Sequence, residues 1–176
     1  SLKEALIAQE EQPNLDFGKH VIPYCHEKGE RLFAFEYNGY WKDVGTLNSY
    51  WEANMELIDI IPEFNLYEEY WRIYTKSVTL PPLYLSSGSI LEKSIAGSGS
   101  GIYGKVYNSV IGCDVVIGEG TVVHDSIIMN DVVIGAGCNI EKTIIAEEAS
   151  IGDNVRIGVG EEVENEEYPG IYNHGL

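Results

Sequence analysis

The segment Tyr40-Trp41-Lys42-Asp43-Val44-Gly45-Thr46 holds the side chains best suited to chemistry in this chain. A Trp ring can pack against a pyranose. An Asp can accept hydrogen bonds from hydroxyl groups or bind Mg²⁺, a hard cation that prefers oxygen ligands. A helix start near Thr46 would offer free backbone N–H groups to an anion. The segment therefore suits a sugar phosphate, although a core Trp beside a surface ion pair and a helix cap would produce the same residues.

Two elements are expected to position this segment. Before it, Phe33, Phe35 and Tyr37 alternate with other residues over 31–38, which predicts a strand with one aromatic face. After it, the sequence turns helical from Thr46. Ser49 and Glu52 fit a capping box, Trp51, Met55 and Ile58 share one face, and Pro62 ends the helix. The segment is therefore expected at a strand-to-helix turn.

The first thirty residues read as two short helices. Residues 2–9 look like the end of one helix, and Asp16 fits the cap of a second. Pro23 would kink or shorten the second helix, and Gly29 would stop it. One strand and three helical pieces cannot close an α/β layer. Residues 1–75 are therefore expected to be the tail of a larger α/β domain, and the chain is expected to be a fragment.

A regular repeat occupies the second half of the chain. Aliphatic residues recur in steps of six, six and five, so that one cycle takes seventeen residues until a last step of six: Ile111, Ile117, Val123, Ile128, Ile134, Ile140, Ile145, Ile151, Ile157 and Val163. A mostly small or β-branched residue stands two places earlier: Ser109, Val115, Thr121, Ser126, Val132, Cys138, Thr143, Ala149, Val155 and Glu161. Residues two apart in a strand share a face, so both series can fill a narrow core.

The repeat predicts a parallel β-helix with three short strands per turn. The pattern resembles the hexapeptide repeat of the left-handed form. An antiparallel sandwich would explain the alternation of residues, but not a cycle held in register over three turns. Upstream, Ile90, Ile95 and Ile102 predict an irregular first coil, interrupted by residues 98–101.

Composition excludes some partners. The formal charge of −17 argues against a nucleic acid or an anionic membrane, since both attract basic surfaces. A dense acidic run lies between Glu161 and Glu167. Cys25, Cys113 and Cys138 form no CxxC pair, which favours a reducing cytoplasm.

Three segments resemble bacterial glucose-1-phosphate adenylyltransferases (ADP-glucose pyrophosphorylases). They are residues 16–23 (DFGKHVIP), 39–46 (GYWKDVGT) and 50–54 (YWEAN), of which the second is the most specific. Residues 71–74 and 80–82 resemble that family's connection into its left-handed β-helix, so the resemblance covers essentially the whole chain. Members of the family make ADP-glucose and pyrophosphate from ATP and glucose 1-phosphate with Mg²⁺, for glycogen or starch synthesis.

The resemblance implies a site. Asp16, Trp41 and Asp43 would line the glucose 1-phosphate pocket, with Phe17 beside them, and Asp43 would be one of two carboxylates that bind Mg²⁺. Asp16 can cap a helix at the same time. Lys42 fits a surface cation, and no residue is assigned a catalytic role. A cytoplasmic homo- or hetero-tetramer is also implied.

The sequence lacks counterparts of the family's Gly-rich nucleotide loop, its other metal carboxylate and its sugar-phosphate lysine motif. We therefore expect that this chain does not catalyse the reaction by itself, although the intact protein does. Residues 1–75 would be the C-terminal part of the nucleotidyltransferase domain, and 76–176 the linker and the β-helix.

Two alternatives stay open. The chain could derive from a non-catalytic regulatory subunit of the same family, which the upstream sequence would decide. It could also be a hexapeptide-repeat acyltransferase, in which a β-helix His acts as general base. His124 is the only His within the repeats.

Overall fold

A computed structural model describes residues 2–11, 13–66, 68–75 and 79–159 of the chain. The chain divides into two compact units, residues 1–39 and 40–176. The acidic run from Glu161 to Glu167 and the last repeat positions, Glu161 and Val163, lie outside the described residues. The domain boundary after residue 75 stays a prediction.

The first unit contains three helical elements. Helix α1 spans Leu2–Ala8, a π-helical turn spans Phe17–Val21, and helix α2 spans Ile22–Glu27. Asp16 caps the π-helical turn as predicted, because its carboxylate accepts the Lys19 N–H at 2.7 Å. Pro23 lies in the first turn of α2, where a missing backbone N–H is tolerated. Gly29 follows α2 with φ +70°, a conformation that favours glycine.

The strand predicted over 31–38 is wrong, since the structure has no strand there. Phe33 and Phe35 are 86% and 89% exposed. A strand is held by hydrogen bonds to a neighbour, and within the described residues no neighbouring strand pairs with this segment. The alternation of aromatic residues therefore reflects a local preference for extended structure, but the segment forms no strand because no neighbouring strand pairs with it here.

Helix α3 spans Leu47–Glu56 and opens the second unit's regular structure. Its cap differs from the prediction: Thr46 is the N-cap, and Thr46 and Ser49 form the capping box. Glu52 instead accepts a hydrogen bond from the Asn48 amide at 3.1 Å, because it lies one turn further along the helix. The helix ends at Glu56, well before Pro62.

Residues 84–157 form a parallel β-helix, which confirms the predicted architecture. Within the described residues it has fourteen short strands: Tyr84–Leu85 (β1), Ile90–Glu92 (β2), Ile95–Ala96 (β3), Gly101–Ile102 (β4), Lys105–Tyr107 (β5), Val110–Ile111 (β6), Val116–Ile117 (β7), Val122–His124 (β8), Ile127–Ile128 (β9), Val133–Ile134 (β10), Asn139–Glu141 (β11), Ile144–Ile145 (β12), Ser150–Ile151 (β13) and Arg156–Ile157 (β14). They form three sheets, ordered β1-β4-β7-β10-β13, β14-β11-β8-β5-β2 and β12-β9-β6-β3. Every third strand therefore stacks in one face of the prism.

The register reproduces the seventeen-residue cycle. Ile117 pairs with Ile134, Val123 with Ile140, and Ile111 with Ile128. Both repeat series point inward and are buried over the central coils, with Ile117, Val123 and Ile140 at 0% exposure. The predicted core is confirmed.

The first coil is irregular for a different reason than predicted. Leu91 pairs with Val106 and Ala96 with Ile111, so Leu91 and Ala96 face the core in place of Ile90 and Ile95. Gly101 and Ile102 belong to a regular strand, β4. The irregularity lies in the next corner, because Ile102 and Val106 are four residues apart where Ile117 and Val123 are six apart. At this corner a Cβ on Gly104 would lie 2.3 Å from the Thr121 carbonyl oxygen.

Buried hydroxyl groups join successive coils. The Ser126 N–H donates to the Ser109 hydroxyl of the preceding coil, and the Thr143 N–H of the next coil donates to the Ser126 hydroxyl, both at 3.1 Å. At another corner Thr121 donates to the Gly135 carbonyl at 2.6 Å and accepts the Cys138 N–H at 3.0 Å. The small polar residues of the repeat therefore pair backbone groups inside the core that an apolar side chain would leave without partners.

Helix α3 lies against the β-helix. The Trp51 indole N–H donates to the Asp125 carbonyl at 2.9 Å. Two residues further on, the neighbouring strand residues Ile127 and Ile128 are both buried, at 2% and 1% exposure. Successive strand residues point to opposite faces, so β9 is covered on its outer face as well. The bond from Trp51 therefore fastens α3 beside a covered face of the prism.

Candidate functional site

The predicted ligand turn, residues 40–46, alternates between an inner and an outer side. Tyr40 and Lys42 turn toward α3 and are partly buried, whereas Trp41 is 77% exposed and Asp43 is also exposed. Because neighbouring side chains in an extended segment point in opposite directions, anchoring Tyr40 and Lys42 directs Trp41 and Asp43 away from the helix. The turn thus presents an indole and a carboxylate together.

Glu56, in the last turn of α3, holds the inner side of the turn. One carboxylate oxygen accepts the Tyr40 hydroxyl at 2.8 Å, and the other accepts the Lys42 ammonium at 2.6 Å. Glu52 lies 3.3 Å from the same ammonium group. The Tyr40 ring also stacks on Phe64, with centroids 5.2 Å apart and planes 13° from parallel. Contacts among five side chains from three segments therefore fix the backbone on both sides of Trp41.

The electrostatics of this cluster are consistent with its geometry. The Lys42 hydrogen bond, followed by that of Tyr40, lowers the pKa of Glu56 below its usual value. The hydrogen bond to Glu56 raises the pKa of Lys42, and the same carboxylate raises the pKa of Tyr40. All three groups thus keep, at neutral pH, the protonation states that their hydrogen bonds require.

Asp43 shapes the turn in which it lies. Its Oδ1 accepts the Gly45 N–H at 3.0 Å, and Thr46 then caps α3. The carboxylate is exposed, and its oxygen donors are of the type that Mg²⁺ prefers. Among the described residues, no group of three or more His, Cys, Asp or Glu is arranged to hold a metal ion. The metal-binding role of Asp43 therefore stays a prediction.

Asp16 and Phe17 belong to the first unit, and Trp41 and Asp43 belong to the second. The Asp16 carboxylate is engaged by the Lys19 N–H, while the Asp16 N–H donates to His20 Nδ1 at 3.0 Å. Phe17 is 53% exposed. The cap role of Asp16 is confirmed, and its ligand role stays a prediction.

A cavity of about 690 Å³ lies beside Phe17 in the first unit. Its lining is mostly apolar and includes Val21, Ile22, Cys25 and Leu32. The charged residues of the lining are Arg31, which can donate hydrogen bonds to a phosphate, and Glu30, whose carboxylate repels one, so their charges offset each other. This cavity therefore suits the packing of apolar side chains better than the binding of a sugar phosphate.

The sequence analysis assigned no individual role to Glu56 or Tyr40. The available signal was the spacing of Glu52 and Glu56, which places two carboxylates on one face of a helix that follows Lys42. Sequence alone could not say that the chain folds back so that this face meets the turn. Lys42, interpreted as a surface cation, lies in this ion-pair cluster with its side chain 22% exposed.

His124 lies at a corner of the β-helix. Its Nδ1 is 2.9 Å from Asp125 Oδ2, its ring lies beside Tyr107, and its side chain is 47% exposed. The Asn108 side-chain amide donates to the other Asp125 oxygen. These contacts hold the corner to which Trp51 is also bonded, and they give His124 a structural setting.

The fold and the repeat define a hexapeptide-repeat protein. A family model described as GlmU-like, C-terminal hexapeptide matches residues 84–174, and the chain belongs to that family. A second family model, for nucleotidyl transferases, matches residues 2–60. The chain thus joins part of a nucleotidyl transferase region to a hexapeptide β-helix. Nucleotidyl transferases of this kind generally use a divalent metal.

Three relatives that match nearly the whole chain carry the name of the same enzyme. The chain is 67% identical over 175 residues to a glucose-1-phosphate adenylyltransferase of Lachnospira eligens and 57% identical to one of Thermotoga maritima. An enzyme of the same name from Acetivibrio thermocellus is 46% identical over 177 residues. These matches cover 98–99% of this chain and 41–42% of the relatives' length. The resemblance carried by segments 16–23 and 39–46 is confirmed.

Within the described residues, no helix is long and apolar enough to cross a membrane.

Proposed function

We propose that this chain is part of a glucose-1-phosphate adenylyltransferase, which forms ADP-glucose and pyrophosphate from ATP and glucose 1-phosphate for glycogen synthesis. The observation that carries the proposal is the 67% identity over 99% of the chain to an enzyme of that name. The exposed pair Trp41 and Asp43 supports it, because an indole face and a carboxylate suit a sugar ring and its hydroxyl groups.

Each predicted residue has a role in this proposal. Trp41 packs on the glucose ring, and Asp43 accepts its hydroxyl hydrogen bonds or binds Mg²⁺. Asp16 and Phe17 are assigned to glucose 1-phosphate binding by the resemblance of residues 16–23. A bound Mg²⁺ supplies charge neutralisation at the phosphates. The Asp43 carboxylate is exposed, and one of its oxygens accepts the Gly45 N–H in the turn that leads to the Thr46 cap.

The chain by itself is proposed to be inactive. It spans about 41% of the length of the curated relatives, and its sequence has no Gly-rich nucleotide loop. ATP binding therefore falls to residues outside this sequence. A cytoplasmic tetramer, formed by identical or different subunits, completes the proposal, with the β-helix as the assembly and regulatory part.

A chimera tests the proposal directly. This chain replaces the matching region of the Lachnospira eligens enzyme, and pyrophosphate release is measured with ATP, glucose 1-phosphate and Mg²⁺. We expect an active chimera and an inactive 176-residue chain. A folded but inactive chimera beside an active parent enzyme would refute the proposed function, and ADP-glucose synthesis by the chain alone would refute its inactivity.

Variants of the chimera test the assigned residues. Loss of the stacking ring in Trp41→Ala should raise KM for glucose 1-phosphate about tenfold. Trp71→Ala is the matched control, because Trp71 is also exposed, at 83%, but lies outside the turn. Asp43→Asn should lower kcat and raise the Mg²⁺ concentration needed for half-maximal rate. Equal effects of the two Trp variants would remove the assignment of Trp41.

The two alternatives make different predictions. For a regulatory subunit, the native upstream sequence would lack the nucleotide loop or the other metal carboxylate, whereas for a catalytic subunit it would contain both. For an acyltransferase, His124 would serve as a base, and acetyl-CoA would bind the chain. Titration with acetyl-CoA, followed by calorimetry, decides the second case.

A further inference from the structure

We infer that Glu56 is a positioning residue, which sets Trp41 and Asp43 for the ligand by holding the two residues that flank Trp41. The inference rests on the proposed function for its ligand, and on the geometry of α3 for everything else.

The first step is the pair of bonds that Glu56 makes. Its two carboxylate oxygens are used separately, one by the Tyr40 hydroxyl at 2.8 Å and one by the Lys42 ammonium at 2.6 Å. Charge-assisted hydrogen bonds are stronger and shorter than neutral ones. Two attachments on either side of one residue restrict rotation of the intervening backbone. The direction in which Trp41 projects is therefore set by Glu56.

The second step concerns the contacts that hold the helix carrying Glu56 in place. Helix α3 is fastened at its start by the Thr46 and Ser49 capping box and along its length by the Trp51 bond to the Asp125 carbonyl. That carbonyl belongs to a corner of the β-helix between β8 and β9. A continuous set of contacts thus runs from the β-helix through α3 to the ligand turn.

The third step is the choice between two glutamates. Glu52 approaches the Lys42 ammonium at 3.3 Å and makes no hydrogen bond to Tyr40, whereas Glu56 is closer and bonds both. The Glu52 side chain also accepts from Asn48. Both carboxylates are similarly exposed, at 47% and 44%, so Glu52 is a matched control on the same helix and the same cation.

The test on the chain itself uses 5-fluorotryptophan and ¹⁹F NMR. The chain has three Trp residues, so three resonances are expected, assigned by Trp→Phe variants. Glu56→Gln should move the Trp41 resonance toward its position in the unfolded chain and leave that of Trp71 in place. Glu52→Gln should move the Trp41 resonance much less. Unchanged or equally shifted Trp41 resonances in the two variants would overturn the inference.

A second variant guards against a general loss of folding. Tyr40→Phe keeps the ring that stacks on Phe64 and removes only the hydroxyl bond to Glu56. It should shift the Trp41 resonance in the same direction as Glu56→Gln, with the far-ultraviolet circular dichroism unchanged. A Tyr40→Phe spectrum identical to that of the unchanged chain would contradict the role of that bond.

The chimera supplies the functional readout. Glu56→Gln should raise KM for glucose 1-phosphate about three- to tenfold, because one partly exposed pair is lost, and leave KM for ATP within about twofold. An unchanged KM in an active chimera would overturn the inference while the proposed function stands. An inactive chimera with the expected ¹⁹F shifts would instead refute the proposed function and leave the positioning role supported.

Discussion

Replacing Thr121 by Val should destabilise the β-helix although the two side chains have nearly the same shape. Thr121 is fully buried, and its hydroxyl makes two bonds that tie three segments together. It donates to the Gly135 carbonyl at 2.6 Å and accepts the Cys138 N–H at 3.0 Å. Valine keeps the volume and offers neither a donor nor an acceptor. The variant therefore isolates the hydrogen bonds from the packing.

The magnitude follows from the burial of the two partners. The bond to the Cys138 N–H is buried, so loss of that partner costs about 1–3 kcal/mol. The Gly135 carbonyl lies nearer the surface, where water can replace the hydroxyl, and contributes about 1 kcal/mol more. The expected loss in the free energy of unfolding is about 2–4 kcal/mol.

Thr121→Ser is the matched control. Serine keeps the hydroxyl and removes one buried methyl group, which costs about 1–1.5 kcal/mol. Urea unfolding of the 176-residue chain, followed by circular dichroism, gives both free energies, provided that the m-values agree. If the two hydrogen bonds of the Thr121 hydroxyl stabilise the fold, the Val variant has a lower free energy of unfolding than the Ser variant. A Val variant that is as stable as the Ser variant, or more stable, would refute the reasoning.

Three further predictions address other parts of the fold. Gly118→Ala should lower the free energy of unfolding by about 1–3 kcal/mol, because the new Cβ would lie 2.5 Å from the Gly135 backbone. Gly152→Ala is the control at the equivalent repeat position, since its Cβ meets no described atom within 4 Å. The control should change the free energy of unfolding in urea by less than about 0.5 kcal/mol. Trp51→Phe should speed hydrogen exchange of the α3 amides about fivefold, since one bond worth about 1 kcal/mol fastens that helix to Asp125; exchange at the unchanged rate would contradict this. The stability difference between the unchanged chain and Glu56→Gln should be present at about pH 7, because the hydrogen bonds from Lys42 and Tyr40 lower the pKa of Glu56, and it should shrink as the pH falls through that lowered pKa; a difference that does not change with acidification would show that charge pairing is not its cause.

The repeat shows how much a sequence can predict when a pattern is periodic. Register in a parallel β-helix is decided by which residues face the core, and a cycle held over three turns leaves one choice. The inward series from Ile111 to Ile157 was therefore readable from spacing alone. In the first coil the core residues are Leu91 and Ala96, one position after Ile90 and Ile95, because the shortened corner at Gly104 breaks the cycle before the register can be extended upstream.

Local signals succeeded where the chemistry was local. Asp16 as a cap and Gly29 as a helix stop depend on neighbouring residues only, and both are found. The N-cap is Thr46 and not Ser49, because several polar residues near the helix start can serve as the N-cap. The position of the first helical residue decides which of them does. The strand over 31–38 failed because a strand needs a partner that local sequence does not contain.

The sequence by itself predicted the β-helix and its core, which the structure confirms, and it singled out the segment from Tyr40 to Thr46, whose ligand chemistry is proposed. Only the tertiary structure decided what holds that segment, because the contacts of Glu56 and Trp51 join residues that are 14 to 16 and 74 positions apart. Such pairs leave no periodic trace, since each forms once and depends on how α3 folds back on the turn and against the prism. The repeated contacts of a solenoid can be read from spacing, and the unique contacts that position a site cannot.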